Sequence, residues 1–305
     1  MNPGVVTVVM LGSMFVLMAT GVPVAFALGG IAVFLSTMLF GFDSTYVLVS
    51  TAFNVWTGQT LLAIPLFLFM AEILSRSGIG DDAYDMFYKW IGNLKGGLLI
   101  GTVIICTIFA AMTGTSGAAT ISMGIIALPS MLNRNYDKRM VVGGVLAGGL
   151  LGPIIPPSII MVIYAVLARE SVGSMFMAGI VPGVMLSAAF CITIAIRCWR
   201  NPSLGPPLPA DEKPTRREKI RSLKALILPV MIILFVLGSI YTGMATPTEA
   251  SGVGAGGALL SAFVNRRLNW KTVVSPALKS TLMLCGLCFW ILLGATAFSH
   301  IYVPP

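Results

Sequence analysis

The chain has 305 residues, of which 57% are hydrophobic and 10% charged, and a mean hydropathy of +0.94. A soluble domain carries about 25% charged residues, so a soluble enzyme, a nucleic-acid binder and a disordered chain are excluded. The net charge of +8 does not change this, because the basic residues sit in short stretches between long apolar runs, as in a polytopic membrane protein.

A membrane-crossing helix takes about 20 apolar residues. Residues 3–42 carry no charge, and Gly21-Val22-Pro23 divides them into predicted spans near 4–20 and 23–42. No cleavable signal peptide is evident, since a basic n-region is missing and the first apolar run is too long. A third span near 59–75 ends at Arg76. Residues 81–95 read as an amphipathic helix lying in the membrane interface. Phe87, Trp90, Ile91 and Leu94 share one face, with Asp81, Asp82, Asp85 and Lys89 elsewhere. Two long uncharged stretches follow, 96–133 and 140–168, and then spans near 174–196, 225–242, 248–265 and 280–299.

The N-terminus is placed outside, and 96–133 is taken as a hairpin returning to its starting side. Every Lys and Arg except Arg169 then falls inside, as the positive-inside rule requires. The basic linker 197–224 is cytoplasmic on this reading. Trp90, Trp199 and Trp270 each adjoin a basic residue at an inside boundary, where interfacial aromatic residues belong.

The chemistry-bearing residues lie in the two long stretches. The midpoint of 96–133 is Thr113-Gly114-Thr115-Ser116-Gly117. Two full helices fit, and so does a re-entrant hairpin; the polar tip favours the hairpin, because irregular backbone at membrane depth must be buried or line a cavity. The midpoint of 140–168 is Gly152-Pro153-Ile154-Ile155-Pro156-Pro157-Ser158. Prolines remove donors and clash with the carbonyl four residues back, so this helix is predicted to break and to free the carbonyls of Gly149, Gly152 and Pro153. Free carbonyls and hydroxyls are ligands for a hard cation such as sodium. Half-helices starting after Gly117 and Pro157 would aim positive dipole ends at an anionic substrate. A proline kink holding no ion is the plain alternative. Gly144, Gly148 and Gly152 form a ridge for close helix packing.

Glu72 is read as the i,i+4 partner of Arg76. Glu249, after Thr246-Pro247-Thr248, reads either as a helix cap or as a functional acid. Cys285 and Cys288 form a CxxC with no second ligand pair, so small residues on a membrane helix account for them. His300 is the only histidine, which excludes a histidine-rich metal site; no metal beyond sodium and no cofactor is expected. Ser116 with His300 makes a poor hydrolase, because the GxSxG elbow is missing. No phosphate-binding loop is present to use ATP. The chain is not read as an enzyme.

The segment from Gly21 to Gly30 is weakly similar to that from Ala245 to Gly254, at an offset of 224 residues. One copy starts outside and the other inside, the arrangement of inverted repeats in secondary transporters. Two such repeats need roughly 448 residues, and the counterpart of the 96–133 hairpin is expected at about residue 320. The chain is therefore expected to be C-terminally truncated or completed by another chain.

The stretches GVPVAFALG, IPLFLFMAEILSRSGI, TGTSGAATISMGIIALPSM, GGLLGPIIPPSIIMVIYA and GMATPTEASGVGA span most of residues 10–300. With them the chain resembles the large membrane subunit (DctM type) of TRAP transporters, the tripartite ATP-independent periplasmic systems. The resemblance implies an all-α, elevator-type carrier of the ion-transporter superfamily. It implies sodium-driven import of organic acids, such as C4-dicarboxylates or sialic-acid-like carboxylates, across the bacterial inner membrane. The partners implied are a small membrane subunit (DctQ type) and a periplasmic substrate-binding protein. Carried onto this sequence, a sodium site comprises Thr115, Ser116 and Gly117 of the hairpin tip with Gly152, Ile155, Pro156 and Ser158 of the broken helix. The organisation implied is scaffold helices and interfacial helix in 1–95, transport-domain hairpin and broken helix in 96–196, linker in 197–224, and the start of the second repeat in 225–305. Two other readings stand beside it: an ion-coupled carboxylate carrier that needs no binding protein, and an inactive remnant or scaffold.

Overall fold

The computed structural model describes residues 3–114, 116–209 and 214–301. Its regular elements are all helical. They are α1 Pro3–Ala19, α2 Val24–Phe40, α3 Ser44–Trp56, α4 Ala63–Arg76, α5 Ile79–Ile91, α6 Gly97–Thr113, α7 Ser116–Leu132, α8 Lys138–Gly149, α9 Ile159–Ala168, α10 Val172–Arg200, α11 Arg216–Tyr241, α12 Pro247–Val264 and α13 Ser275–His300.

Local chemistry sets many of these boundaries. Pro23 precedes α2, and Gly41, at φ +82°, closes it. Gly78 and Gly96, both with positive φ, turn the chain into α5 and α6. Helices α11 and α12 open on reciprocal capping boxes, Thr215 with Glu218 and Thr246 with Glu249. Pro229 in α11 has no N–H for the carbonyl of residue 225, and the axis bends by 42° there.

Among the described residues, three segments have the length and hydropathy to cross a membrane: Gln59–Arg76, Val172–Arg200 and Trp270–Ser299. The bent helix α11 makes a fourth. Helices α1 and α2 have 17 residues each, so the spans predicted at 4–20 and 23–42 are short of the ~20 residues that cross without adjustment. Many large apolar side chains face outward, among them Phe15, Phe34, Leu234 and Leu282. Water would penalise that surface; lipid does not.

The chain forms two compact units, Met1–Leu61 with Leu282–Pro305, and Leu62–Thr281. Residues 95, 196 and 224, the expected boundaries, all fall inside the second unit. In the first unit, Met10, Ile31, Ala32, Leu35, Leu48, Ala297 and Ile301 form a buried cluster. In the second unit α4 packs on α12, and α6 is surrounded by α5, α7, α8 and α10. Lipid supplies no hydrophobic drive between membrane helices, so close approach of small residues carries the packing. A Cβ on Gly144 would lie 2.6 Å from Leu99 Cδ1, and one on Gly148 would lie 2.7 Å from Cys106 Cβ. The ridge predicted on α8 thus seats α6 along Gly144 and Gly148; Gly152 lies beyond the helix end.

Of the predicted α5 face, Phe87 and Ile91 pack on Gly101 of α6, while Trp90 and Leu94 are exposed. Leu94 falls past the end of α5, whose buried residues are Ile79, Gly80, Ala83, Tyr84 and Met86. The heptad-like spacing marked a contact face, and the helix is covered by α6, α7 and α11. The linker, in turn, is partly docked. Gly96 N–H donates to Gly205 O (2.8 Å), Leu208 N–H to Gly92 O (3.0 Å) and Asp137 N–H to Leu204 O (3.0 Å), so residues 204–208 strap the starts of α6 and α8.

Candidate functional site

The two stretches singled out in the sequence meet in the second unit. Helices α6 and α7 form a hairpin of two 17-residue arms, and α8 and α9 are the 12- and 10-residue halves of an interrupted helix. Each arm is shorter than a full span. Gly114 at the hairpin tip has φ +59°, and a Cβ there would lie 2.7 Å from Pro157 O and 3.1 Å from Ile159 N. On the other side of the break, a Cβ on Gly149 would overlap Thr120 Oγ1 and lie 3.2 Å from Ser116 O. The hairpin tip therefore bears on both sides of the break.

Residues 150–157 form a sequence of turns between the half-helices, with the Pro156–Pro157 bond cis. Ile154 and Ile155 N–H both donate to Leu151 O (3.0 and 2.9 Å). Ser158 is fully buried; its hydroxyl donates to Pro153 O (2.8 Å) and accepts from Met161 N–H (3.4 Å) as the cap of α9. Two carbonyls expected to be free are thus partnered: Pro153 O by Ser158, and Gly149 O by Gly152 N–H at 3.3 Å. The turn replaces donors that the prolines removed. Gly152, Ile155 and Pro156 are buried, and among the described residues no hydrogen bond reaches their carbonyl oxygens. Carbonyls without donors in buried residues are uncommon.

Ser116 opens α7, two residues earlier than expected, and Gly117 is exposed with nothing within 4 Å of its Cβ position. Thr115 lies outside the described residues. The N-termini of α7 and α9 and the C-termini of α6 and α8 converge at the break, two positive dipole ends and two negative.

The outer wall of the broken turn, unmarked by any apolar pattern in the sequence, is α10. In α10, a Cβ on Gly179 would lie 2.5 Å from Ile154 O, and one on Gly183 would lie 2.5 Å from Ile155 Cγ1. Ala111, Leu151 and Ile155 form a buried cluster there. The four-residue spacing of Gly179 and Gly183 was the available signal.

Glu249 stands apart from these elements. Its carboxylate accepts from Thr246 N–H and Thr246 Oγ1, both at 2.8 Å, and its own N–H donates back to Thr246 Oγ1 (3.3 Å). Of the two readings, the cap is the one the geometry displays. Glu72 pairs with Arg76 (2.8 Å), which also donates to Ser280 Oγ (2.8 Å). Among the described residues no cluster of His, Cys, Asp and Glu is arranged to hold a metal.

Residues 11–303 match the family described as "Tripartite ATP-independent periplasmic transporter, DctM component". The chain belongs to the DctM family. It is 33% identical to the C4-dicarboxylate TRAP transporter large permease protein DctM of Rhodobacter capsulatus, over 96% of this chain and 68% of that protein. It is 35% identical to the protein of the same name from Pseudomonas aeruginosa, over 89% of this chain and 62% of that one. With the 2,3-diketo-L-gulonate TRAP transporter large permease protein YiaN of Escherichia coli, identity is 34% over 84% of this chain and 59% of that protein. This DctM-type chain spans about two thirds or less of the length of these curated relatives. They are permease subunits of transporters, not enzymes, and this chain is accordingly a multi-pass membrane protein.

Proposed function

We propose that this DctM-type chain carries the membrane half of a sodium-driven importer of organic acids. C4-dicarboxylates, the substrates named for two relatives, are the first class to try. The observation that carries the reading is the set of donorless carbonyls of Gly152, Ile155 and Pro156 beside the hairpin tip. Carbonyl oxygens suit a hard monovalent cation. The negative end of α8 favours that ion, while the positive ends of α7 and α9 favour a substrate carboxylate. Sodium and acid are both cargo here, and the residues orient them without chemistry. Ser116 completes the ion site from the hairpin, and Ser158 shapes it from within.

In this reading the α6–α7 hairpin, re-entrant from the cytoplasmic side, moves with α8 and α9 as an elevator-type transport domain against scaffold helices. The bilayer is the bacterial inner membrane, with the N-terminus periplasmic and 197–224 cytoplasmic. A periplasmic binding protein delivers substrate, and a small DctQ-type subunit accompanies the chain. The test is uptake of labelled C4-dicarboxylate into proteoliposomes holding the complete carrier with its small subunit and binding protein. Uptake should require an inward sodium gradient and be abolished by Ser116→Ala and Gly152→Val. Equal uptake without sodium would refute the coupling, and equal uptake without binding protein would refute the tripartite reading.

A further inference from the structure

A groove of about 170 Å³ runs between most of α8 and the C-terminal part of α10. Its character changes along its length. Gly143, Gly144 and Ala147 form its floor, and Phe190 and Ile194 flank it. Arg139 and Arg197, both exposed, stand together at one end. That end is fixed by backbone bonds: Asn201 N–H donates to Arg197 O (2.9 Å), and Asp137 N–H donates to Leu204 O (3.0 Å), tying the exit of α10 to the entry of α8.

Among the described residues, no acidic residue lines this groove. Asp137, the nearest acid along the chain, accepts from Met140 N–H (2.9 Å) as the cap of α8. Among the described residues neither Arg139 nor Arg197 is in an ion pair. Trp199, two residues past Arg197, is 75% exposed, and an exposed indole beside arginines marks the headgroup level of a bilayer. Below it the trough is open: nothing lies within 4 Å of a Cβ built on Gly143.

We propose that this groove binds one anionic phospholipid, its phosphate held by Arg139 and Arg197 and an acyl chain lying along Gly143 and Ala147. Guanidinium groups pair with phosphate oxygens through forked hydrogen bonds. Basic pockets between membrane helices take anionic headgroups in this manner. A free phosphate would use the arginines and leave the apolar trough unfilled, so a lipid answers the whole groove. Bound there, the lipid clamps α8 to α10, the helix whose Gly179 and Gly183 wall the broken turn. The assignment does not depend on sodium coupling.

The test is native mass spectrometry of the purified full chain in detergent, titrated with phosphatidylglycerol, phosphatidylcholine or inorganic phosphate. One phosphatidylglycerol should be retained, phosphatidylcholine should not, and millimolar phosphate should leave the lipid in place. The double variant Arg139→Gln/Arg197→Gln should weaken lipid binding roughly 10- to 30-fold, and Arg139→Lys/Arg197→Lys should weaken it less. Gly143→Leu adds bulk at a position whose Cβ meets nothing within 4 Å, and should expel the lipid while leaving the lipid-free melting temperature unchanged. It carries the test if the charge variants fold poorly. Retention of phosphatidylglycerol by either the glutamine or the leucine variant at wild-type strength would overturn the proposal. So would equal retention of phosphatidylcholine, or displacement by phosphate.

Discussion

Gly114, at the tip of the α6–α7 hairpin, abuts the carbonyl of Pro157 in the broken helix so closely that a single added methyl would lie 2.7 Å from that oxygen. The contact joins two segments more than 40 residues apart in sequence. It also demands a left-handed backbone, at φ +59°. Gly114→Ala meets both obstacles: the left-handed conformation costs an alanine about 1–2 kcal/mol, and the methyl must push the broken turn away. The variant is expected to insert and melt within a few degrees of wild type, yet to lose sodium-dependent uptake. Thermal melting and the proteoliposome assay, run on the same preparations, check this.

A second contact holds the other side of the break. Gly149→Ala places its methyl against Thr120 Oγ1 and should destabilise the second unit by about 1–3 kcal/mol, as overpacking does. Thr120→Ala removes the hydroxyl that donates to Ser116 O at 2.8 Å and should recover part of that loss in the double variant. A double-mutant cycle by chemical denaturation reads the coupling. Strict additivity would place the two residues out of contact.

The sequence made the existence of the two halves plain and left their meeting hidden. Proline spacing announced the break at 153–157, and an uncharged stretch with a polar centre announced the hairpin. Which carbonyls stay without donors depends on how the chain turns after α8. Ser158 reaches back to Pro153 and Gly152 N–H reaches back to Gly149, and neither bond follows from helical counting. Amphipathic spacing likewise marked a face of α5 without saying what covers it; Gly101 of α6 does. Short apolar runs gave the helices, whereas contacts made through glycine leave no apolar signal to read.

Ser158 joins the two halves internally. Ser158→Ala deletes the cap of α9 and the hydrogen bond to Pro153 O. A lost cap costs about 1 kcal/mol, and a carbonyl left unpaired adds a further ~1 kcal/mol or more. The expected result is a lowered melting temperature together with a raised sodium requirement for uptake. Threonine at this position should restore most of both. A variant with wild-type melting and wild-type sodium dependence would remove Ser158 from the site.

Glu249 separates capping from function. Its carboxylate is engaged by Thr246 at the start of α12, and glutamine can make the same reciprocal bonds. Glu249→Gln is expected to retain more than half of wild-type uptake, and Glu249→Ala to lower the melting temperature slightly through loss of the capping box. Uptake abolished by the glutamine variant, with the protein still folded, would instead make Glu249 a working acid.

Sodium held by the carbonyls of Gly152, Ile155 and Pro156 beside the hairpin tip is tested most directly by binding of radioactive sodium to the purified chain. The wild-type chain should bind sodium saturably, potassium should not compete, and Gly114→Ala should abolish the binding while leaving the protein folded. No saturable binding in the wild type, or binding that survives unchanged in Gly114→Ala, would contradict it.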